Sequence, residues 1–304
     1  MKRLIIHGGI HRTGSTSLQK SLAKQRAALE AHGVAYPGAA ENHQDWAWAL
    51  HRGEMSGPDL AEALAGVAAD AVLLSAEDFA RLKSFEWLDA LRPAFAIEAH
   101  FFLRRQDEWL MSWYNQTVRW PFNKHAKATP QEFLENHGRF GWLHYHKLCK
   151  AWAEAPGVAR VRVYRFDATV TERFLASALP GAPIVVEHAV NGSSPPLTTE
   201  FLRHLDLPSL PPGQRVRVVN AAREALAALD RPEARIYPPE TRRRINAPYR
   251  RGNALAFERF GAEGETDFDY EIPDDAPFVE PALPETERLM AEFVAPFVRR
   301  LARK

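Results

Sequence analysis

Five apolar runs along the chain have the length and residue types of β-strands. The runs at 71–75 and 94–103 are mostly apolar, which is typical of strands buried on both faces of a parallel sheet, and a shorter run of this kind lies at 4–6. Apolar and polar residues alternate at 158–167, and a short run follows at 34–36. Because helical patterns separate these runs, we expect an α/β fold, a three-layer sandwich with a central parallel sheet.

Helices are expected where apolar positions recur at helical spacing. The predicted helices cover 18–32, 59–69, 84–92, 107–118, 143–153, 198–206, 214–229, 240–260 and 289–301, with short helices inside 39–58 and 168–185. The segment 262–284 is acidic and proline-rich, so no ordered strand is expected there. Since no repeat or linker is evident, we predict a single domain over 1–304, with a core of about 1–200 and a mostly helical C-terminal third at 201–304.

Composition narrows the classes of function. The chain has 304 residues, of which 46% are hydrophobic and 25% charged, as in ordinary globular proteins. A net charge of +1 argues against a general nucleic-acid binder. One cysteine, Cys149, is compatible with a reducing cytoplasm. The first apolar run is too short for a signal peptide, and no run reaches the length of a membrane span, so a cytoplasmic protein is expected.

The first strand leads into a glycine-containing loop with phosphate-loop spacing. Gly9 and Gly14 stand five residues apart and are followed by Ser15 and Thr16. A strand, a tight loop and a helix N-terminus direct backbone N–H groups and the positive end of the helix dipole at one point, which favours a phosphate or sulfate. A nucleoside-triphosphate P-loop would carry lysine where Ser15 stands, and here the nearby cation is Arg12 instead. ATP or GTP hydrolysis is therefore disfavoured.

This loop resembles the 5′-phosphosulfate loop of sulfotransferases that use 3′-phosphoadenosine-5′-phosphosulfate (PAPS), in particular bacterial and carbohydrate sulfotransferases. The resemblance is carried by the run His11-Arg12-Thr13-Gly14-Ser15-Thr16-Ser17-Leu18. It implies a fold like that of P-loop nucleotide hydrolases. It also implies that the 5′-phosphate is held by Thr13, Gly14, Ser15, Thr16 and Ser17, while Arg12 and His11 neutralise charge on the leaving oxygen.

A second resemblance lies at the end of the fourth apolar run. Arg104 follows the run and Ser112 comes eight residues later, inside a predicted helix. This spacing is similar to the 3′-phosphate element of the same family, and it implies that both residues bind the donor's 3′-phosphate. The resemblance also implies an adenine contact from Tyr164 and a C-terminal basic element, for which Arg251 within 250–253 is the best match.

The resemblance implies transfer of a sulfuryl group from PAPS, as co-substrate, to a hydroxyl or amine of a small-molecule or glycan acceptor, without a metal. Such a transfer needs a general base. Glu77 directly follows the run at 71–75, and His43 lies in the loop after the first helix. Glu77 is favoured, although an acid at a helix N-terminus and a surface histidine would be ordinary structural features.

Two other functions remain open at this stage. A P-loop kinase for a small molecule is disfavoured by Ser15 and by the lack of a clear acidic Mg²⁺ site. A non-catalytic module that binds a nucleotide or glycan would use the Trp- and His-rich segments 42–51 and 113–125 for stacking. The segment 119–142 is equally compatible with an acceptor lid and with a surface helix whose aromatic residues pack into the core. The acceptor and the oligomeric state are not specified.

Overall fold

The computed structural model describes residues 1–119, 126–187, 194–227, 230–231, 233–280 and 282–302. The chain forms two compact units, each drawn from three stretches of sequence. The first unit comprises Met1–Arg105, Gly141–Val190 and Tyr249–Asp269, and the second comprises Gln106–Phe140, Asn191–Pro248 and Tyr270–Lys304. The single domain expected from the sequence stays a prediction.

The first unit contains a parallel sheet of five strands. They are β1 (Lys2–His7), β2 (Val34–Ala35), β3 (Ala71–Ser75), β4 (Phe95–Leu103) and β5 (Val158–Arg165). Their order is β2-β3-β1-β4-β5, and every neighbouring pair is parallel. The α/β class, the parallel sheet and all five predicted strands are confirmed.

The helices are numbered along the chain: α1 (Ser15–Lys24), α2 (Arg26–Ala31), α3 (Gln44–Arg52), α4 (Gly57–Ala65), α5 (Gln106–Arg119), α6 (Pro130–Glu135), α7 (Tyr145–Ala153), α8 (Val170–Ala178), α9 (Pro196–His204), α10 (Pro212–Leu226), α11 (Pro239–Asn246), α12 (Arg250–Phe260), α13 (Thr286–Arg288) and α14 (Ala295–Leu301). A π-helical turn, Leu289–Val294, joins the last two. Short 3₁₀ turns include Glu77–Arg81 and Glu86–Ala90. Within the described residues, no helix is long and apolar enough to cross a membrane.

Helices cover both faces of the sheet in the first unit. Phe102 of β4 packs in one cluster with Leu18 of α1 and Phe174 of α8. Phe101, the preceding residue, contacts Trp152 of α7 at a centroid distance of 5.7 Å. Since successive side chains of a strand point to opposite faces, α1 and α8 lie on one face and α7 on the other.

Three predicted helices differ from the structure. The helix expected at 18–32 is broken at Gln25, whose side-chain amide exchanges two hydrogen bonds with the backbone of Val185. The helix expected at 240–260 divides into α11 and α12, because Pro248 between them has no N–H to donate. At 84–92 only the 3₁₀ turn Glu86–Ala90 forms.

The second unit is helical, and charged groups are buried among its helices. Arg242 of α11 donates to Asp107 and to Glu108 of α5, each at 2.9 Å. Asn246 accepts from the backbone N–H of Asp107 at 3.1 Å. The contact with Asn246 pairs one backbone N–H of the first turn of α5, which has no partner within the helix, and Arg242 compensates the two carboxylates there.

Candidate functional site

The loop after β1 is fixed to the neighbouring strand β4. The N–H of Gly8 donates to the carbonyl of His100 at 2.9 Å, and the N–H of Ile10 donates to the carbonyl of Phe102 at 2.9 Å. The connections that follow β1 and β4 lead to opposite edges of the sheet, towards β2 and β5. This makes the carboxyl end of the β1–β4 pair a topological switch point, where open α/β sheets bind ligands.

Three residues of this loop adopt left-handed backbone conformations. They are Gly9 (φ 70°), Arg12 (φ 67°) and Gly14 (φ 85°), and Arg12 is the one non-glycine residue in the described part of the chain with positive φ. A Cβ on Gly9 would lie 2.8 Å from Cγ of Glu77, so this position also lacks room for a side chain. Both glycines of the sequence motif are thus required by the backbone, and Arg12 holds an unfavourable conformation.

Helix α1 begins at Ser15 rather than at 18, so Ser15, Thr16 and Ser17 form its first turn. Gly14 caps this helix without a side-chain hydrogen bond, and the first turn contains no acidic residue. Ser15 is 2% exposed, and its Oγ has no hydrogen-bond partner among the described residues. A buried hydroxyl without a partner costs about 1–3 kcal/mol, and a ligand oxygen would remove that cost. Thr13 Oγ1 is already engaged, since it donates to the carbonyl of Ile10.

Arg104 meets this loop from the end of β4. Its guanidinium donates to the carbonyl of Arg12 at 3.2 Å and lies 5.0 Å from the ring centroid of Phe166. Phe166 in turn lies under Gly14, where a Cβ would be 3.3 Å from the ring. Arg12 and Arg104, which belong to separate sequence motifs, are therefore linked by a hydrogen bond at the loop 8–14, the candidate phosphate loop.

Asp78 is a residue of this site that sequence reasoning missed. Its carboxylate lies 3.5 Å from Nε2 of His11, accepts from Nε1 of Trp48 at 2.9 Å and also accepts from Gln44 and Arg81. Burial disfavours the charged form, but His11 and Arg81 outweigh it and hold the pKa of Asp78 well below its usual range. The sequence does carry a signal for Asp78, because it is the second of two adjacent acids just after β3, the first being Glu77.

The two base candidates differ in how their side chains are used. Glu77 packs against Gly9, and its Oε2 accepts from Nε2 of Gln19 in α1 at 3.2 Å. His43 is 4% exposed, and its Nδ1 accepts from the N–H of Ser75 at 3.0 Å. Its Nε2 therefore carries the proton and donates to the carbonyl of Pro37 at 2.9 Å. Burial lowers the pKa of His43 to about 4. Glu77 lies at the loop, whereas both nitrogens of His43 are occupied by the fold.

The remaining predicted residues are placed as follows. Tyr164 is buried against Phe102 and Phe174, and its hydroxyl lies 3.0 Å from Nδ1 of His100. Arg251 is exposed on α12. The described contacts of these two residues include no member of the phosphate loop. Ser112 is buried in α5 of the second unit.

The segment 119–142 is only partly described, and its predicted residues Trp120, Phe122, Lys124 and His125 lie outside the described residues. Phe140 packs with Trp109 and with Phe133, and Arg139 covers both phenyl rings. These contacts agree with core packing for this part of the segment.

A cavity of about 460 Å³ opens beside the C-terminal end of α3 in the first unit. Its lining is mixed apolar and polar: Leu50, His51, Met55, Ser56, Gly57, Leu82, Lys83, Ser84, Glu86 and Trp87. Trp48, one turn earlier in α3, is 43% exposed while its indole N–H is held by Asp78. The helix therefore connects the phosphate loop, through Asp78, with an exposed aromatic ring and a cavity.

No group of His, Cys, Asp or Glu residues suited to a metal ion occurs in the described parts of the chain. Comparison of the sequence with protein-family models and curated proteins, and of the fold with solved structures, found no match.

Proposed function

We propose that the protein is a PAPS-dependent sulfotransferase with a P-loop-like arrangement of strand, loop and helix. The observation that carries the proposal is the buried, unpartnered hydroxyl of Ser15 at the start of α1, a helix with neither a side-chain cap nor an acid in its first turn. The junction of Arg104 with the carbonyl of Arg12 adds positive charge at the same loop. Together these features favour an anionic donor without the lysine of a nucleoside-triphosphate site.

In this proposal the loop binds the phosphosulfate end of the donor. The N–H groups of the first turn of α1 and the Ser15 hydroxyl receive the 5′-phosphate oxygens, and Arg12 faces the bridging oxygen. As the sulfur–oxygen bond breaks, negative charge grows on that oxygen, and a fixed guanidinium stabilises it in the transition state. The backbone strain at Arg12 fits a side chain that is held for this purpose.

Glu77 acts as the general base towards the acceptor. It takes the proton of the acceptor hydroxyl while that oxygen bonds to sulfur, and the leaving 3′,5′-bisphosphate carries away the electron pair. Gln19 orients the carboxylate through its 3.2 Å hydrogen bond. Trp48 offers an exposed indole face near the loop, which suits a sugar ring of a glycan acceptor.

Calorimetric titration with 3′-phosphoadenosine-5′-phosphate, the spent donor, tests the proposal, with Mg²⁺-ATP as the control ligand. We expect saturable binding of the bisphosphate and much weaker binding of ATP, because the loop lacks a lysine at Ser15. Stronger binding of ATP would favour a kinase, and absence of binding by either nucleotide would refute the donor site.

Two serines of α1 give a matched pair of variants for this titration. Ser15→Ala removes a hydroxyl that has no protein partner, so we expect about tenfold weaker binding of the bisphosphate or more, with an unfolding midpoint that is unchanged or higher. Ser21→Ala removes a hydroxyl that donates to Ser17 and accepts from Glu187, each at 2.8 Å, so it should lower the midpoint and leave binding unchanged. Arg104→Ala should weaken binding as well. Equal binding by wild type and Ser15→Ala contradicts the assignment of the loop.

A further inference from the structure

A small cavity, lined in part by arginine side chains, lies in the second unit between the last turn of α5 and the N-terminal half of α10. Its lining residues are Arg119, Pro212, Arg215, Val216, Val219 and Asn220. Its volume is about 30 Å³. This is room for roughly two water-sized groups, so it admits two oxygens of a small ligand and excludes the body of a larger one.

Arg119 brings a positive charge to this cavity, and no carboxylate among the described residues pairs with it. Among the described residues, the buried Nε of Arg119 has no hydrogen-bond partner, and no carboxylate contributes to the electrostatics of its side chain. Arg223 follows Val219 by one helical turn, and burial together with the charge of Arg223 lowers the pKa of Arg119.

Arg215 adds a second guanidinium that is almost fully enclosed. Arg215 is 6% exposed, and its Nη2 donates to the carbonyl of Leu210 at 2.8 Å. This hydrogen bond fixes the side chain within the first turns of α10. The N-terminal half of this 15-residue helix contributes the positive end of its dipole to the same region. The charges of Arg119 and Arg223 lie near each other where Arg119 is partly buried, which is unfavourable unless an anion compensates them.

We propose that this cavity binds the oxygens of a sulfate or phosphate group. Arg119, whose buried Nε has no partner among the described residues, presents a planar N–H fork that matches a pair of oxygens on a tetrahedral anion, and Arg215 adds positive charge to the lining. The apolar wall of Val216 and Val219 would bind neither a cation nor a neutral polar molecule well. The group is either a free inorganic ion or the charged end of a sulfate or phosphate ester. The proposal does not depend on the function proposed for the phosphate loop, since all its residues belong to the second unit.

The test measures thermal unfolding of the full chain as sulfate replaces chloride at constant ionic strength. The background variant carries Arg12→Ala and Arg104→Ala, which weakens anion binding at the phosphate loop. We expect the unfolding midpoint to rise saturably with sulfate. Adding Arg119→Gln should weaken the apparent sulfate affinity about tenfold or more, because a hydrogen bond to a charged group is lost. It should also leave the midpoint in chloride unchanged or higher, because an uncompensated charge is removed.

Arg217→Gln, an exposed position of the same helix α10, is the matched control and should keep the saturable rise. Arg119→Lys retains the charge, and the same titration is made with it if the glutamine variant does not fold. A parallel titration with methyl sulfate separates the two sources, since an equal response indicates an ester end and a response to inorganic sulfate alone indicates the free ion. A midpoint that rises only linearly with sulfate, or equally in Arg119→Gln and Arg217→Gln, overturns the proposal.

Discussion

At the scale of single residues, hydrogen-bond partners distinguish two kinds of polar side chain. Some bond to other parts of the fold and are structural, and others lie at the candidate site. His43 and Tyr164 are buried, and their polar atoms bond to Ser75, Pro37 and His100. Residue type and position suggested roles for both in the sequence, but their partners lie far away along the chain or in the backbone. Such partners are set by the packing of the sheet, so no local pattern could reveal them.

Glu77 is the residue whose chemistry can be tested most directly. Glu77→Gln keeps the shape of the side chain but cannot accept the proton of an acceptor hydroxyl. We therefore expect sulfuryl transfer to fall about 10²-fold or more, while binding of 3′-phosphoadenosine-5′-phosphate stays unchanged. Turnover is measured with labelled PAPS and a panel of glycan and phenolic acceptors.

Glu41→Gln, in the exposed loop before α3, serves as the control and should keep full turnover. Near-normal turnover in the Glu77→Gln protein would remove Glu77 as the base. A parallel loss of donor binding would mean instead that the carboxylate supports the loop through its contact with Gly9.

At the scale of elements, the tight loop between the first strand and the first helix was largely predictable, and the bounds of the helices around it were not. Gly9 and Gly14, whose spacing had indicated a tight loop, both have positive φ. The break in the first helix depends on the docking of Gln25 on Val185, a residue 160 positions away. The periodicity of apolar residues continues through that break, so the sequence gives no sign of it.

The backbone of the loop predicts different stabilities for two substitutions at Arg12. Arg12→Gly relieves a left-handed conformation that Arg12→Ala retains, so the glycine variant should be about 1 kcal/mol more stable than the alanine variant. Both variants lose the guanidinium, so both should lose most sulfuryl transfer.

Urea unfolding of the two variants measures the difference in stability, and turnover of labelled PAPS measures the loss of transfer. Equal stability of the two would show that the loop relaxes and that Arg12 holds no strain. Full activity in Arg12→Gly would show that its side chain plays no part in the transfer.

At the scale of the whole molecule, local patterns predicted the sheet but not the division of the chain. Apolar runs of strand length are visible because both faces of a central strand are buried. Each unit, however, combines three separate stretches, and the chain passes between units at points such as Arg105 and Pro248. Pro248 leaves a local signal, as a helix breaker, whereas no such residue marks the passage at Arg105.

The first unit also buries histidines whose neutral form the fold requires. Burial, together with the nearby His100, lowers the pKa of His7 to about 3, and burial lowers the pKa of His43 to about 4. Burial lowers the pKa of His100 too, although Glu98 opposes the shift. In the unfolded chain these side chains titrate near pH 6.5. Below that pH the unfolded state binds protons that the native state excludes.

Stability should therefore be fully present above about pH 6.5 and should fall as the pH drops from there towards about 4. Each buried histidine contributes a slope of up to about 1.4 kcal/mol per pH unit in that window. The carboxylates of Asp78 and Glu98, whose pKa values are lowered, lose their contribution only below about pH 4.5, so they leave the upper part of the window unaffected.

Urea unfolding at several pH values between about 7 and 5 measures this slope, and His43→Gln should reduce it by about one proton. The variant also loses hydrogen bonds to Ser75 and Pro37, so its stability falls at every pH, but only the slope reports the proton. His51→Gln, at an exposed position of α3, is the matched control and should leave the slope unchanged. If His43→Gln and wild type share one slope, the ring of His43 is protonated in the folded protein. Its Nδ1 then carries a proton and does not accept a hydrogen bond from the N–H of Ser75.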